Sequence, residues 1–379
     1  MSEPAPIHVN RPDLPDLDEL APILRTLWSS RRLTNGGSFS DQLEVALAEV
    51  LNVPRVLLFS SGTQALLTAL RGLNLQAGDE VITTPFSFVA STHVLAWSGL
   101  TPVFVDIEPD AYTLDPRLVE SAVSARTKAI LPVHVYGHPC HTTAIAGVAE
   151  RFGLKVLYDA AHAFGVRSHG GALLAAGDVS ALSFHATKVF HTFEGGALVC
   201  RDSELATGLR RMRNFGMIGD STVESVGLNG KLSELHAAIG LLQLPTFEAR
   251  NVRRSRIDKA YREALNGIPG LSLPPMTDVI QHNYGYFPVR IGADFTCTRD
   301  ELHESLRYRG VITRRYFYPL ISSMALYATM PGAHPERLPV AHRVAREVLC
   351  LPIYASMTEG DQDRVIEALL DVARAGPSV

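Results

Sequence analysis

Between about residues 55 and 200, short apolar runs alternate with amphipathic stretches. The runs Arg55–Phe59, Glu80–Thr83, Thr101–Val105, Ala129–Val133, Lys155–Tyr158, Ala181–Phe184 and Ala197–Cys200 read as strands, most of them rich in Val, Ile, Leu or Phe. Ser61–Leu73 and Thr142–Phe152 read as helices between them. Continuously apolar strands separated by helices predict an α/β architecture with a mostly parallel sheet covered on both faces. The last interval differs, because Gly195-Gly196 marks a tight turn into the next strand. Around Leu241–Arg256 the pattern becomes one long polar-faced helix carrying Glu248, Arg250, Arg253, Arg254 and Arg256. It predicts a bridge from a large domain, residues 1–245 with an N-terminal arm, to a smaller α+β domain, residues 246–379.

Composition narrows the class without deciding it. A chain of 379 residues with 46% hydrophobic and 20% charged residues suits a two-domain globular enzyme. The net charge of −4 gives no global pull toward nucleic acid or an anionic membrane, although local cationic pockets stay possible. Cys140, Cys200, Cys297 and Cys350 are scattered, forming neither a CxxC pair nor a disulfide framework. No basic leader precedes an apolar core at the N-terminus, and no apolar window is long enough to span a bilayer. These features predict a soluble, cytoplasmic protein.

In a sheet of this kind ligands sit beyond the carboxyl ends of the strands, so the residues after each apolar run carry the chemistry. The first run leads into Ser60-Ser61-Gly62-Thr63 and an amphipathic helix. Small residues before a helix start, with its free N–H groups, suit a phosphate, and an ordinary cap by Ser61 or Thr63 suits them too. Pro85-Phe86-Ser87-Phe88 places aromatic rings where one could stack on a flat heterocycle or simply pack in the core. The run Lys155–Tyr158 ends in Asp159, followed by Ala160-Ala161-His162. That carboxylate is placed to meet a buried cation, or to cap the next helix. Ala181–Phe184 leads into His185-Ala186-Thr187-Lys188. A lysine in an apolar setting there has a lowered pKa and a nucleophilic amine. Ser183 and His185 add hydrogen-bonding groups beside it. Together these ends supply phosphate donors, a ring stack, an acid for a pyridinium nitrogen and an amine. Pyridoxal 5′-phosphate (PLP) requires that set.

These residues resemble the DegT/StrS-type sugar aminotransferase family of fold-type I PLP enzymes. The likeness runs through Leu33-Thr34-Asn35-Gly36-Gly37, Ser61-Gly62-Thr63-Gln64-Ala65-Leu66, Gly78-Asp79-Glu80-Val81-Ile82 and Thr127–His134. It continues through Tyr158–His162 and Ser183–Lys188 to Gly227-Leu228-Asn229-Gly230-Lys231. The resemblance implies that Lys188 carries the cofactor, Asp159 pairs with its ring nitrogen, Phe88 covers one ring face and His162 bonds the phenolic oxygen. Many relatives have Gln at that last position, and His donates equally well. Gly62, Thr63 and Ser183 would hold the phosphate, with His185 nearby. Asn229 of a neighbouring subunit would complete the phosphate site, which makes the active unit a homodimer. A subset of relatives are dehydratases with His in place of the lysine; Lys188 favours transamination.

Val81–Phe88 and Ser183–Ala197 are similar to the branch of the family that forms dTDP-4-amino-4,6-dideoxyglucose. The implied substrates are L-glutamate and a nucleotide-linked ketosugar, with pyridoxamine phosphate as the form between half-reactions. A 3-keto-sugar or a cyclitol is the alternative acceptor. Asn35, Gly36 and Tyr318 are the expected substrate contacts, Tyr318 within the cationic, aromatic stretch Arg314–Pro319. His134–His141 is rich in imidazole but crowds one loop after a strand, so no metal is expected there, and the resemblance implies a structural, substrate-side role. A non-catalytic sensor on the same fold would not need the Lys188–Asp159 pair. A nicotinamide enzyme would need a GxGxxG turn that the first strand lacks.

Overall fold

A computed structural model describes residues 5–169, 171–276 and 279–377. Its centre is a seven-stranded sheet of β1 (Val56–Phe59), β2 (Glu80–Thr83), β3 (Thr101–Phe104), β4 (Thr127–Leu131), β5 (Lys155–Asp159), β6 (Val179–Ser183) and β7 (Gly196–Cys200). The spatial order is β1-β7-β6-β5-β4-β2-β3. β7 runs antiparallel to both its neighbours, and every other pairing is parallel. The Gly195-Gly196 turn is the cause of that single reversal, because no helix intervenes to carry the chain back across the sheet.

β1, β2 and β7 are buried along their whole length, since helices cover both faces and leave no polar side to alternate with. The flanking helices include α1 (Leu17–Ser30), α2 (Ser38–Val50), α3 (Gly62–Gly72), α4 (Ala90–Trp97), α5 (Thr142–Phe152) and α6 (Ser203–Met212). α3 starts where Ser61 caps it, its side chain accepting from Gln64 N–H at 3.1 Å. It buries Ala65, Leu66, Ala69 and Leu70 in the core of one face. α5 ends at Gly153, which takes the left-handed conformation (φ 65°) that a residue without Cβ adopts freely.

The single long helix read over Leu241–Arg256 is two helices. α7 (Glu234–Gln243) ends in a turn of 3₁₀ helix, Leu244–Thr246, and α8 (Phe247–Leu265) begins directly after it. Pro245 causes the break, for it lacks the N–H that would continue the α7 ladder. We propose the division between the two domains at this turn. Beyond it, β8 (Leu271–Ser272), β9 (Phe287–Ile291) and β10 (Val348–Leu351) form a three-stranded antiparallel sheet. α8, α9 (Arg299–Tyr308) and α11 (Glu359–Ala375) cover it, and Tyr261, Phe287, Leu302, Leu306, Val365 and Leu369 fill its core.

The two parts are joined by more than the bridge. α10 (Pro339–Glu347) packs Ala341, Val344 and Ala345 into the core of the seven-stranded sheet. In the opposite direction, Ile7–His8 of the N-terminal arm pairs in parallel with Val311–Ile312, and Ile7 is buried in the C-terminal core.

Candidate active site

The carboxyl ends of β1, β5 and β6 hold the residues singled out from the sequence. Asp159 is the last residue of β5, and its backbone is fixed from both sides. Its N–H donates to Pro132 O (2.9 Å), its carbonyl accepts from His134 N–H (3.0 Å), and the next N–H, of Ala160, donates to Ala181 O (2.8 Å). The carboxylate is 5% exposed. Ser91 Oγ donates to Oδ2 at 2.7 Å and Ala161 N–H to Oδ1 at 3.0 Å. Burial raises its pKa, against the pull of those two donors and of Lys188. Among the described residues it forms no ion pair. A buried carboxylate with hydrogen bonds but no cation is set up to receive one.

His162 follows on the same loop and is buried. Its Nδ1 accepts the Tyr136 backbone N–H at 3.1 Å, so the ring proton sits on Nε2. Burial, and then the Lys188 charge, hold its pKa well below the ordinary histidine range, leaving a neutral donor. Its ring lies parallel to Phe317 at 5.9 Å.

Lys188 stands in the loop between β6 and β7. Phe184 and Phe190 anchor that loop from beneath, packed at 5.0 Å, with Phe190 stacked on Phe164 at 4.4 Å. Lys188 N–H donates to His185 O (2.8 Å), and from outside Asn10 Nδ2 donates to Thr187 O (2.7 Å). Burial lowers the Lys188 pKa to about 8, although Asp159 and Tyr316 pull it upward. Its Nζ lies 3.0 Å from Tyr286 Oη.

The phosphate candidates meet at one corner. A Cβ on Gly62 would come within 3.0 Å of Ser183 Cβ, and one on Gly196 within 2.5 Å of Gly62 N. Only glycines let the Ser61–Thr63 turn lie this close to β6 and β7, leaving the α3 N-terminus open with Thr63 exposed. Asn229 is exposed and makes no side-chain hydrogen bond among the described residues. Its segment is braced beside the same corner, where Gly230 O accepts from Ser60 N–H at 2.8 Å. Phe88 is 61% exposed at the start of the α4 segment that also carries Ser91.

The remaining candidates lie farther out. His185 points to solvent, its Nδ1 2.8 Å from Thr187 Oγ1 and its Nε2 3.6 Å from Glu194. Tyr318 is half-exposed between the guanidinium groups of Arg299 (4.8 Å) and Arg315 (5.6 Å). Asn35 and Gly36 both take positive φ, 66° and 71°, in an exposed turn where Arg32 donates to Gly36 O. In the loop His134–His141, His134 stacks on Tyr158 at 4.8 Å, and its Nδ1 accepts from Cys140 N–H. Among the described residues no group of three or more His, Cys, Asp or Glu is placed to hold a metal ion.

Three residues that the sequence did not single out, Ser91, Tyr286 and Glu234, belong to this region, with Tyr316 from the Arg314–Pro319 stretch beside them. Ser91 orients Asp159. Tyr286 meets Lys188. Tyr316 packs against Tyr286 at 5.9 Å. Glu234 is buried and accepts from Gly37 N–H (3.2 Å), Phe39 N–H (2.9 Å) and Ser40 N–H (3.1 Å). A cavity of about 720 Å³ elsewhere, bounded by Gly72, Asp202 and Arg211, includes none of these side chains.

The arrangement fits the cofactor that the sequence points to. It offers a buried acid awaiting a cation, a neutral imidazole donor, a glycine-lined helix start and a lysine of lowered pKa. Residues 17–370 match the model of the DegT/DnrJ/EryC1/StrS aminotransferase family. The chain belongs to that family. It is a PLP-dependent aminotransferase.

Among relatives, it is 44% identical over 365 residues to the dTDP-4-amino-4,6-dideoxy-D-glucose transaminase of Escherichia coli, covering 96% of this chain and 98% of that one. The solved structure of DesI in the presence of its TDP-sugar product superposes with a TM-score of 0.93 at 36% identity, covering 98% of this aminotransferase and 94% of DesI. NtdA from Bacillus subtilis, with bound cofactor PMP, superposes at 0.85 with 31% identity, covering 95% and 83%. No helix among the described residues is long and apolar enough to cross a membrane.

Proposed function

We propose that this aminotransferase moves the amino group of L-glutamate to the C4 ketone of a dTDP-4-keto-6-deoxyhexose, with dTDP-4-keto-6-deoxy-D-glucose as the preferred acceptor. The reading places the enzyme in the cytoplasm, as a homodimer working by a ping-pong mechanism. The observation that carries the chemistry is the placing of Lys188, in the loop after β6, within the electrostatic field of the buried Asp159 carboxylate, which has no ion-pair partner among the described residues. The near full-length likeness to a dTDP-4-amino-4,6-dideoxy-D-glucose transaminase supports the choice of sugar.

Bound PLP supplies an aldehyde carbon that condenses with amines and a ring that takes up the electron pair of the substrate carbon. Asp159 keeps the ring nitrogen protonated, held in register by Ser91 and the Ala161 N–H. His162 donates from Nε2 to the phenolic oxygen. Gly62, Thr63 and Ser183 hold the phosphate at the α3 N-terminus, and Asn229 of the partner subunit closes that corner. Phe88 covers the ring. Lys188 would anchor the cofactor, and as a free amine it would take the proton from the glutamate carbon and deliver it to the cofactor carbon that had carried the aldehyde, with the same transfer run backwards in the other half-reaction. Asn35, Gly36 and Tyr318 line the sugar side.

An absorbance spectrum of the purified, PLP-loaded protein tests this reading. Glutamate should bleach the cofactor band, and dTDP-4-keto-6-deoxy-D-glucose should restore it. Recovery only with a 3-keto sugar or a cyclitol ketone would replace the acceptor. A band that glutamate leaves unchanged would overturn the reading.

A further inference from the structure

Among the described residues, the Lys188 amine has one hydrogen-bond partner, and it is not a carboxylate. Nζ lies 3.0 Å from Tyr286 Oη and 5.7 Å from the centre of that ring. Tyr286 comes from the C-terminal part of the chain, as the residue before β9. Its approach to the lysine is built. Asn283 Nδ2 donates to His162 O (2.8 Å) and Phe164 O (2.9 Å), while its Oδ1 accepts from Gly285 N–H (3.2 Å). Arg254 Nε donates to Asn283 O at 3.0 Å, tying the segment to α8. A Cβ on Gly285 would meet Val189 Cγ1 at 2.9 Å, so the glycine lets this segment lie against the lysine loop. The Tyr286 ring is braced by His162 at 4.6 Å and Tyr136 at 5.5 Å. The hydroxyl forms no other hydrogen bond among the described residues.

A phenol both donates and accepts. Burial, with Cys350 and Asp159 nearby, keeps Tyr286 from ionising at working pH. Its hydroxyl can therefore accept from an ammonium or donate to the lone pair of a neutral amine by turning its hydrogen. Lys188 passes between these two states whenever it carries a proton for the substrate. We propose that Tyr286 is the positioning residue for the released Lys188 amine, holding Nζ in one place through both protonation states so that proton transfer starts from a fixed distance. When Lys188 acts, the substrate C–H bond breaks, its electron pair passes to the cofactor ring and an N–H bond forms on Nζ. The new ammonium keeps its hydrogen bond to Tyr286 and then gives that proton to the cofactor's aldehyde-derived carbon, where the electron pair returns from the ring to form the new C–H bond and Nζ is again neutral. The inference rests on the reading of Lys188 as the proton carrier.

The test uses Tyr286→Phe, which keeps the ring and its packing. Full-length protein loaded with pyridoxamine phosphate, in which Lys188 is unbonded to the cofactor, is trace-labelled with acetic anhydride over a pH series. Mass spectrometry then reads acylation at Lys188. The groups facing that amine are Asp159, Tyr316 and His162, all unchanged in the variant, as are Tyr136 and Cys350 on the Tyr286 side. A charge-assisted hydrogen bond is the stronger of the two that Tyr286 makes, so its loss should lower the labelling midpoint by about one pH unit. The single-turnover reaction with glutamate should slow about tenfold to a hundredfold, with glutamate affinity changed less than about threefold. A midpoint within about 0.2 units of the unaltered protein and a rate within about twofold would overturn the proposal. If the unaltered protein itself fails to react with glutamate, the aminotransfer reading falls, and the labelling midpoint alone decides whether Tyr286 holds the amine.

Discussion

In the proposed reaction Lys188 has two tasks that set opposite demands. To anchor an aldehyde it must reach the cofactor as a free amine, and to carry a proton it must ionise near the pH of the cell. Burial meets both by lowering its pKa from 10.5 to about 8, since the desolvated ammonium is the disfavoured form. The neutral fraction grows with pH, so the glutamate half-reaction should speed up about tenfold per unit below pH 8 and level off above it. Stopped-flow rates at saturating glutamate, from pH 6 to pH 9.5, check this; a rate still climbing at the upper limit would mean an unshifted lysine. The same shift bears on stability. Between about 8 and 10.5 the unfolded chain holds a proton that the folded chain has released, so the desolvation cost is full below that window and fades through it. Lys188→Ala removes that cost. The variant should melt at or above the unaltered, cofactor-free protein at pH 7 while losing all multiple turnover. Thermal melting and a glutamate–ketosugar assay measure the two halves of that statement. The positions of Asp159, directly after one apolar run, and of Lys188, in the segment that follows another, were legible in the sequence, because the strand-end rule needs nothing but that order. Ser91 and Tyr286 were not, for each meets its partner across a large stretch of chain and neither has a local pattern to mark it.

At the scale of elements, the Asn35-Gly36 turn depends on a carboxylate from another helix. The N-cap of α2 is Gly37, which has no side chain to satisfy the first amides. Glu234, at the start of α7, supplies the missing acceptors: Oε1 takes the N–H groups of Gly37 and Ser40, and Oε2 takes that of Phe39. In return Glu234 N–H donates to Leu33 O at 2.9 Å. A Cβ on Gly37 would collide with the Glu234 carboxylate at 2.2 Å, so this glycine answers to packing. Glu234→Gln keeps the shape but turns one acceptor into a donor facing an N–H, at a cost of about 1–3 kcal/mol. The variant should melt several degrees lower and, on the proposal that the Asn35-Gly36 turn lines the sugar side, show a raised KM for the ketosugar with kcat nearly unchanged. Steady-state kinetics with the sugar varied would separate this from general damage, which lowers kcat as well. The strands were readable from hydrophobic runs, since their burial is nearly continuous, and α5 from its amphipathic spacing, which buries Ile145, Val148 and Ala149. The break between α7 and α8 was overlooked because the polar face runs on past Pro245, although that residue carried the signal.

For the whole molecule, the open question is where one active site ends. Asn229 is exposed, its side chain makes no hydrogen bond among the described residues, and Gly230 fixes its segment beside the Ser60–Thr63 corner. An exposed side chain at the rim with no hydrogen bond among the described residues is suited to completing a second copy, and most soluble oligomers are symmetric dimers in which such exchange is reciprocal. The resemblance that suggested this role could not be checked from hydrophobic pattern alone, since a residue working across an interface leaves no periodicity in its own chain. Mixing an inactive form with one impaired at limiting PLP decides the matter. Lys188→Ala protein retains Asn229, and Asn229→Ala protein retains Lys188. Asn229→Ala alone should bind PLP about tenfold more weakly or worse, as expected for loss of a charge-assisted phosphate contact. After unfolding and refolding an equal mixture, about half the dimers are mixed, and in each of these one site pairs an intact Lys188 with an intact Asn229 from the other chain. At limiting PLP the mixture should therefore recover about a quarter of the sites of the unaltered enzyme. If Asn229 serves its own chain, every site in the mixed dimer lacks one residue or the other, and the mixture should do no better than its parts.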